Sequence, residues 1–158
     1  MENGPAAAAT KTAANTRSVA LSLSDAALPG LLLVVRRPAN DAHLPGIWGL
    51  PAASLRHGES WTAAAHRAAQ DKLGVDIALG REIARGRAVR DDGILEMRLY
   101  AARITSGRPR VPQDAPGVTQ YVALRWALPD VLEAGAARGS LCCRLQLGRA
   151  AQSDVIPS

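Results

Sequence analysis

Glu59, Arg67, Asp71 and Lys72 lie close together in the chain and carry the charges most able to do chemistry. Asp71 can hold a cation or accept a proton. It can equally be a plain helix carboxylate paired with Lys72, or with Arg67 four residues earlier. Lys72 can meet a phosphate as a point charge, or stand as a solvated surface lysine. His57, His66 and His43 titrate near neutrality and are candidate acid–base groups, though each also fits an ordinary polar loop or surface-helix position. Arg36 and Arg37 follow an apolar run, so one of them faces a pocket and can grip a phosphate with its planar fork. Glu96 and Arg98 alternate along one segment and share a side of it. They either point into a common cavity or form a solvent-facing polar pair. Trp48 either stacks on a flat ligand or packs in the core.

These residues need a scaffold, and the hydrophobic pattern supplies one. Val19–Leu23 alternates as a strand does, and Leu31–Val35 is an unbroken apolar run that reads as a buried strand. A loop rich in Pro, Gly, Asn and Asp follows. Ser60 is a good helix N-cap, Trp61, Ala64, Ala65, Ala68, Ala69 and Leu73 recur at helical spacing, and Gly74 provides the stop. Val75–Leu79, Ile83–Val89 and Leu95–Ile104 read as strands, the last two joined as a hairpin around Asp91-Asp92-Gly93. Pro109–Gly117 reads as a loop, Val118–Trp126 as a strand and Pro129–Leu147 as a second helix. Strands with helices between and after them indicate an α/β sandwich. The Ala/Thr/Asn-rich residues 1–16 read as a disordered arm and residues 151–158 as a flexible tail, leaving a folded domain over 17–150.

The stretch from Trp48 to Val75, WGLPAASLRHGESWTAAAHRAAQDKLGV, resembles the Nudix box, G-x5-E-x7-R-E-U-x-E-E-x-G-U with U aliphatic. Ala53 stands at the initial glycine, Glu59 at the first glutamate and Arg67 at the arginine. Leu73, Gly74 and Val75 complete the pattern. The remaining glutamate positions hold Ala68, Asp71 and Lys72, so the box is degenerate. Leu31–Arg37, the G-x-W-x-x-P passage Gly46–Pro51 and the passage Leu124–Asp130 extend the similarity over roughly residues 17–150. The resemblance implies an α/β/α sandwich with a mixed sheet between helices. It also implies a pocket that acts on a nucleoside diphosphate linked to another group.

In such proteins the helix glutamates hold Mg²⁺ through hard oxygen ligands, and the metal neutralises the diphosphate and activates water. Positions 68, 71 and 72 share a helix face, which here offers a methyl group, one carboxylate and one ammonium. Two unit charges at ~4 Å repel by roughly 4 kcal/mol at an effective dielectric of about 20, so Lys72 opposes a divalent cation. Mg²⁺ is therefore expected to bind weakly or not at all, with Asp71 its remaining helix ligand, joined by Glu59 and Glu96 if a metal is held. Arg36, Arg37 and Lys72 would bind phosphate, with Trp48, Glu96 and Arg98 lining the substrate pocket. The resemblance gives Glu59 and Arg67 a structural role, tying loop to helix, and Gly74 the helix stop.

The function expected is binding of, or action on, a nucleoside diphosphate-linked or other phosphorylated small molecule, with pyrophosphate hydrolysis weak or absent. The alternatives are metal-independent acid–base chemistry in the same pocket, using Asp71, Lys72 or a histidine, and a ligand-binding regulatory module. Net charge is +5 and, of the 19 basic residues, only Lys11 and Lys72 are lysines. That balance fits either a GC-rich codon usage that favours arginine or an anionic small-molecule partner such as a nucleotide. The arginines are scattered rather than clustered, which argues against nucleic acid. No apolar run approaches the roughly 18 residues of a membrane helix, and the expected location is the cytoplasm. The adjacent Cys142 and Cys143 read as buried thiols, since neighbours close a disulfide only with strain.

Overall fold

The computed structural model describes residues 15–111 and 121–149. Seven strands form two sheets: β1 (Asn15–Ser24), β2 (Leu32–Arg36), β3 (Trp48–Gly49), β4 (Ala52–Ser54), β5 (Asp76–Arg90), β6 (Gly93–Ser106) and β7 (Ala123–Ala127). One sheet runs in the order β4-β1-β6-β5 and the other β3-β2-β7. The first is mixed, because β1 pairs parallel to β6 while β4 and β5 add antiparallel. Helix α1 (Trp61–Leu73) covers one face, and α2 (Glu133–Ala137) with α3 (Leu141–Gln146) covers the other.

Strand β1 shows why both faces need cover. Val19, Leu21 and Leu23 join the core under α1, while Ala20 joins the core under α3. A strand buried on both sides reads as a continuous apolar run. Helix α1 begins where Ser60 Oγ accepts the Ala63 amide at 3.1 Å. It ends where Gly74, at φ 72°, lets the Gly74 and Val75 amides turn back to Gln70 and Ala69. Ala64, Ala65, Ala68 and Ala69 are fully buried, and their small side chains bring the helix close to the sheet.

Several boundaries differ from the sequence reading. Strand β1 starts at Asn15, because Asn15 and Thr16 pair with Ile94 and Leu95. The rest of the expected arm, and the tail, lie outside the described residues. The strands expected over 75–79 and 83–89 are one strand, β5, whose pairing with β6 shifts between Leu79 and Ala84. Gly80 permits this bulge: a Cβ there would sit 3.0 Å from the Ala101 carbonyl oxygen. The single helix expected over 129–147 is a 3₁₀ turn (Pro129–Leu132) followed by α2 and α3, broken where Gly139 adopts φ 94°. Strand β7 begins at Ala123, and residues 118–120 of the strand expected there lie outside the described residues.

Gly135 fixes how α2 meets the sheet. An added Cβ would lie 2.7 Å from Cys143 Sγ, 2.9 Å from Ile47 Cγ2 and 3.2 Å from the Trp48 carbonyl oxygen. Gly135→Ala is expected to destabilise the domain by about 1–3 kcal/mol through overpacking. A thermal melt unchanged from wild type would contradict the close approach of α2 to β3.

Candidate functional site

The loop before α1 is anchored by the Glu59–Arg67 pair. Arg67 Nε donates to Glu59 Oε2 at 2.8 Å and Nη2 donates to Glu59 Oε1 at 2.9 Å; Nη2 also donates to the Ser54 carbonyl at 2.7 Å. The hydrogen bonds from Arg67 hold the Glu59 carboxyl at about 2, well below the usual range. One arginine thus joins β4, the loop and the helix.

The glutamate positions of the box diverge in space. Ala68 is fully buried in the core under α1. Asp71 turns towards arginines, with its Oδ2 3.6 Å from Arg67 Nη1 and 3.8 Å from Arg56 Nη2. Its partners are therefore Arg67 and Arg56. Lys72 points another way, into a cavity of about 230 Å³ between α1, β1, β6 and α3. Its Nζ lies 4.9 Å from the centre of the Tyr121 ring, a cation–π distance. Burial, then the positive charges of Arg37 and Arg67, pull the Lys72 ammonium down to about 8.

Arg37 and Arg90 also line this cavity, together with Ser18, Ser54 and Cys142. Arg37 is held by Asp41, whose Oδ2 accepts Nη1 at 3.1 Å. The same carboxylate oxygen accepts the backbone amides of His43 and Leu44. Although burial opposes it, the net effect of those amides and Arg37 is to lower the Asp41 carboxyl from its ordinary value. A second lobe of about 190 Å³ shares Arg37, Arg90 and Ser18, and adds Thr16, His43 and Asp92. Tyr121 is almost wholly buried; its hydroxyl oxygen accepts the Ala52 amide at 3.1 Å, and burial pushes the phenol up to about 12.

The structure does not gather all the candidate residues here. Arg36 is exposed and its Nε donates to the Gly46 carbonyl at 3.2 Å, so of the two neighbouring arginines Arg37 faces the cavity. Glu96 and Arg98 were expected to line it, but Leu95 and Met97 do so instead. Strand alternation sends Glu96 and Arg98 to the α1 side of β6. There Arg98 lies 4.3 Å over the Trp61 ring and 4.0 Å from Glu82. Trp48 packs beside the core under α3 with Arg125 stacked on it at 4.7 Å. His57 and His66 are exposed and line neither lobe.

The sequence reading missed Ser18, Ser54, Arg90, Tyr121 and Cys142. Ser18 had a signal: it is a hydroxyl beside the apolar run of β1 and is buried. Arg90 had none, because only the pairing of β5 with β6 carries the hairpin end back over the cavity.

The fold recurs in solved structures at low identity. A NUDIX hydrolase from Nitrosomonas europaea superposes with a TM-score of 0.66 at 17% identity, covering 92% of this chain and 97% of its own. The MutT protein from Methanosarcina mazei Go1 gives 0.65 at 13%, covering 86% and 96%. A MutT NUDIX hydrolase from Burkholderia pseudomallei gives 0.59 at 24%, covering 74% and 85%. No curated protein matches the sequence. The family model described as NUDIX domain matches residues 14–140, a span that takes in both sheets, the anchored loop and most of the cavity lining, and the chain belongs to that family.

Proposed function

We propose that this NUDIX-family protein binds a phosphorylated small molecule in the Lys72 cavity, and that side-chain cations supply the positive charge a metal would otherwise bring. The observation that carries this reading is Lys72 itself, placed in the cavity with Arg37 and Arg90. A half-buried ammonium beside two guanidinium groups favours an anion, because a low local dielectric strengthens the attraction.

The residues present do not fit Mg²⁺, which takes hard oxygen ligands. Of the three helix positions, one is a buried methyl, one is a carboxylate engaged by two arginines and one is an ammonium. Glu59 has both carboxylate oxygens committed to Arg67, and Glu96 does not line the Lys72 cavity. Among the described residues, no three His, Cys, Asp or Glu side chains are grouped as ligands. Mg²⁺-dependent hydrolysis of a nucleoside diphosphate sugar, ADP-ribose or an oxidised nucleotide is accordingly expected not to exceed the EDTA control. Robust Mg²⁺-dependent turnover of any of these would overturn the reading.

Lys72→Glu tests the charge argument from the other side. It places a carboxylate in the cavity and removes the repelling cation. Mg²⁺ affinity measured by calorimetry is expected to rise at least about tenfold, equivalent to about 1.4 kcal/mol. No gain would mean that Lys72 is not what opposes the metal.

A second reading has one specific support. An amine lowered to about 8 is suited to accept a proton near neutral pH. Under that reading Lys72 is a general base in metal-independent chemistry. A turnover rate that rises with pH through about 8 and disappears in Lys72→Met would favour it over simple binding.

A further inference from the structure

We propose that the ligand of this cavity is a sugar phosphate, a phosphomonoester on a short polyhydroxy chain, and carries no nucleobase. This assignment rests on the reading that Lys72 and Arg37 hold an anion; what it adds is the nature of the rest of the molecule.

Proteins hold a base largely by stacking it on an aromatic face. The whole chain has three tryptophans, two tyrosines and no phenylalanine, so each such face can be followed. Trp48 lies under Arg125 beside the core below α3. Trp61 lies under Arg98 on the α1 side of the sheet. Trp126 packs against the core under α1, and Tyr100 is buried in that core. Tyr121 reaches the cavity, but only 4% of it is exposed, Lys72 lies over its ring and its hydroxyl is engaged by Ala52. The segments outside the described residues contain no Phe, Tyr or Trp. The only ring lining either lobe apart from Tyr121 is the exposed imidazole of His43, whose backbone is tied to Asp41.

The polar groups suit hydroxyls instead. Thr16, Ser18 and Ser54 line the outer lobe and can each donate and accept, as sugar hydroxyls require. Asp92 stands in the same lobe. A carboxylate accepts hydrogen bonds, which sugar hydroxyls donate and an ionised phosphate does not. The inner lobe, at about 230 Å³, takes the phosphate beside Lys72, and the outer lobe, at about 190 Å³, takes the hydroxylated stem.

The test is calorimetry on the full chain with inorganic phosphate, ribose 5-phosphate, ADP and ADP-ribose, repeated with Asp92→Ala. Ribose 5-phosphate is expected to bind at least tenfold more tightly than phosphate or ADP. In Asp92→Ala that preference over ADP should fall at least threefold. If ADP or ADP-ribose binds tenfold more tightly than ribose 5-phosphate, the sugar-phosphate assignment is wrong while the anion site stands. If none of the four binds, or if ribose 5-phosphate binding is unaffected by Lys72→Met, the anion-site reading itself fails.

Discussion

Lys72→Met is expected to make the domain more stable by about 1–3 kcal/mol near neutral pH, and to abolish its affinity for phosphate compounds. The two effects have one cause. Lys72 is largely out of water and close to Arg37 and Arg67, so its ammonium is held at about 8 against an ordinary 10.5. The folded protein gives up this proton more readily than the unfolded chain. Below about pH 8 both states carry it and the folded state bears the cost of a buried charge. Between about 8 and 10.5 the unfolded chain holds more protons, so stability rises with pH across that window. Methionine fills a similar volume without the charge and removes this slope. The contact of Nζ with the Tyr121 ring at 4.9 Å offsets part of the cost, which is why the expected gain is below the full shift. Urea titrations at pH 7 and pH 10 check the prediction. A variant that is less stable at pH 7 and keeps the alkaline slope would show that Lys72 is a structural cation. A residue that costs stability and serves a ligand is a common compromise at functional sites.

Arg67→Ala acts in the opposite direction and should cost about 3 kcal/mol. Its guanidinium makes two hydrogen bonds to Glu59 and one to the Ser54 carbonyl, and approaches Asp71 at 3.6 Å. Truncation strands a largely covered carboxylate. For a chain of this size the melting temperature should fall by roughly 6–12 °C. Glu59 is lowered to about 2 from 4.5, so its contribution is complete above about pH 4.5 and is lost as pH falls towards 2. The stability gap between wild type and Arg67→Ala should therefore narrow over that acid range. Arg67→Lys should recover less than half, since a single ammonium cannot reproduce the paired geometry. A gap that stays constant from pH 6 to pH 2 would contradict the role given to the pair.

How far the sequence led depended on whether a signal was local. Helix α1 was legible because cap, apolar spacing and terminal glycine all fall within one element, and the Glu59–Arg67 spacing lies inside the same stretch. The continuity of β5 was not, because Gly80 reads as a breaker in isolation and becomes a bulge only against the Ala101 carbonyl. The break at Gly139 was hidden by the helical composition on either side of it. At the site, alternation correctly put Glu96 and Arg98 on one side of β6, but alternation does not say which side. That choice is set by Leu95, Met97 and Leu99 packing towards α3 and by Tyr100 and Ala102 packing under α1. Arg36 and Arg37 posed the same question, and strand pairing with exposure answered it in favour of Arg37.

The central claim is that cations of the chain, rather than a metal, hold the anion. Its most direct test is the calorimetric affinity of the wild-type protein for inorganic phosphate, measured once in EDTA and once in excess Mg²⁺. The account predicts binding in EDTA that Mg²⁺ does not strengthen, and that weakens as pH rises through about 8 with the loss of the Lys72 charge. Binding that requires Mg²⁺, or that is indifferent to pH between 7 and 9.5, would contradict it.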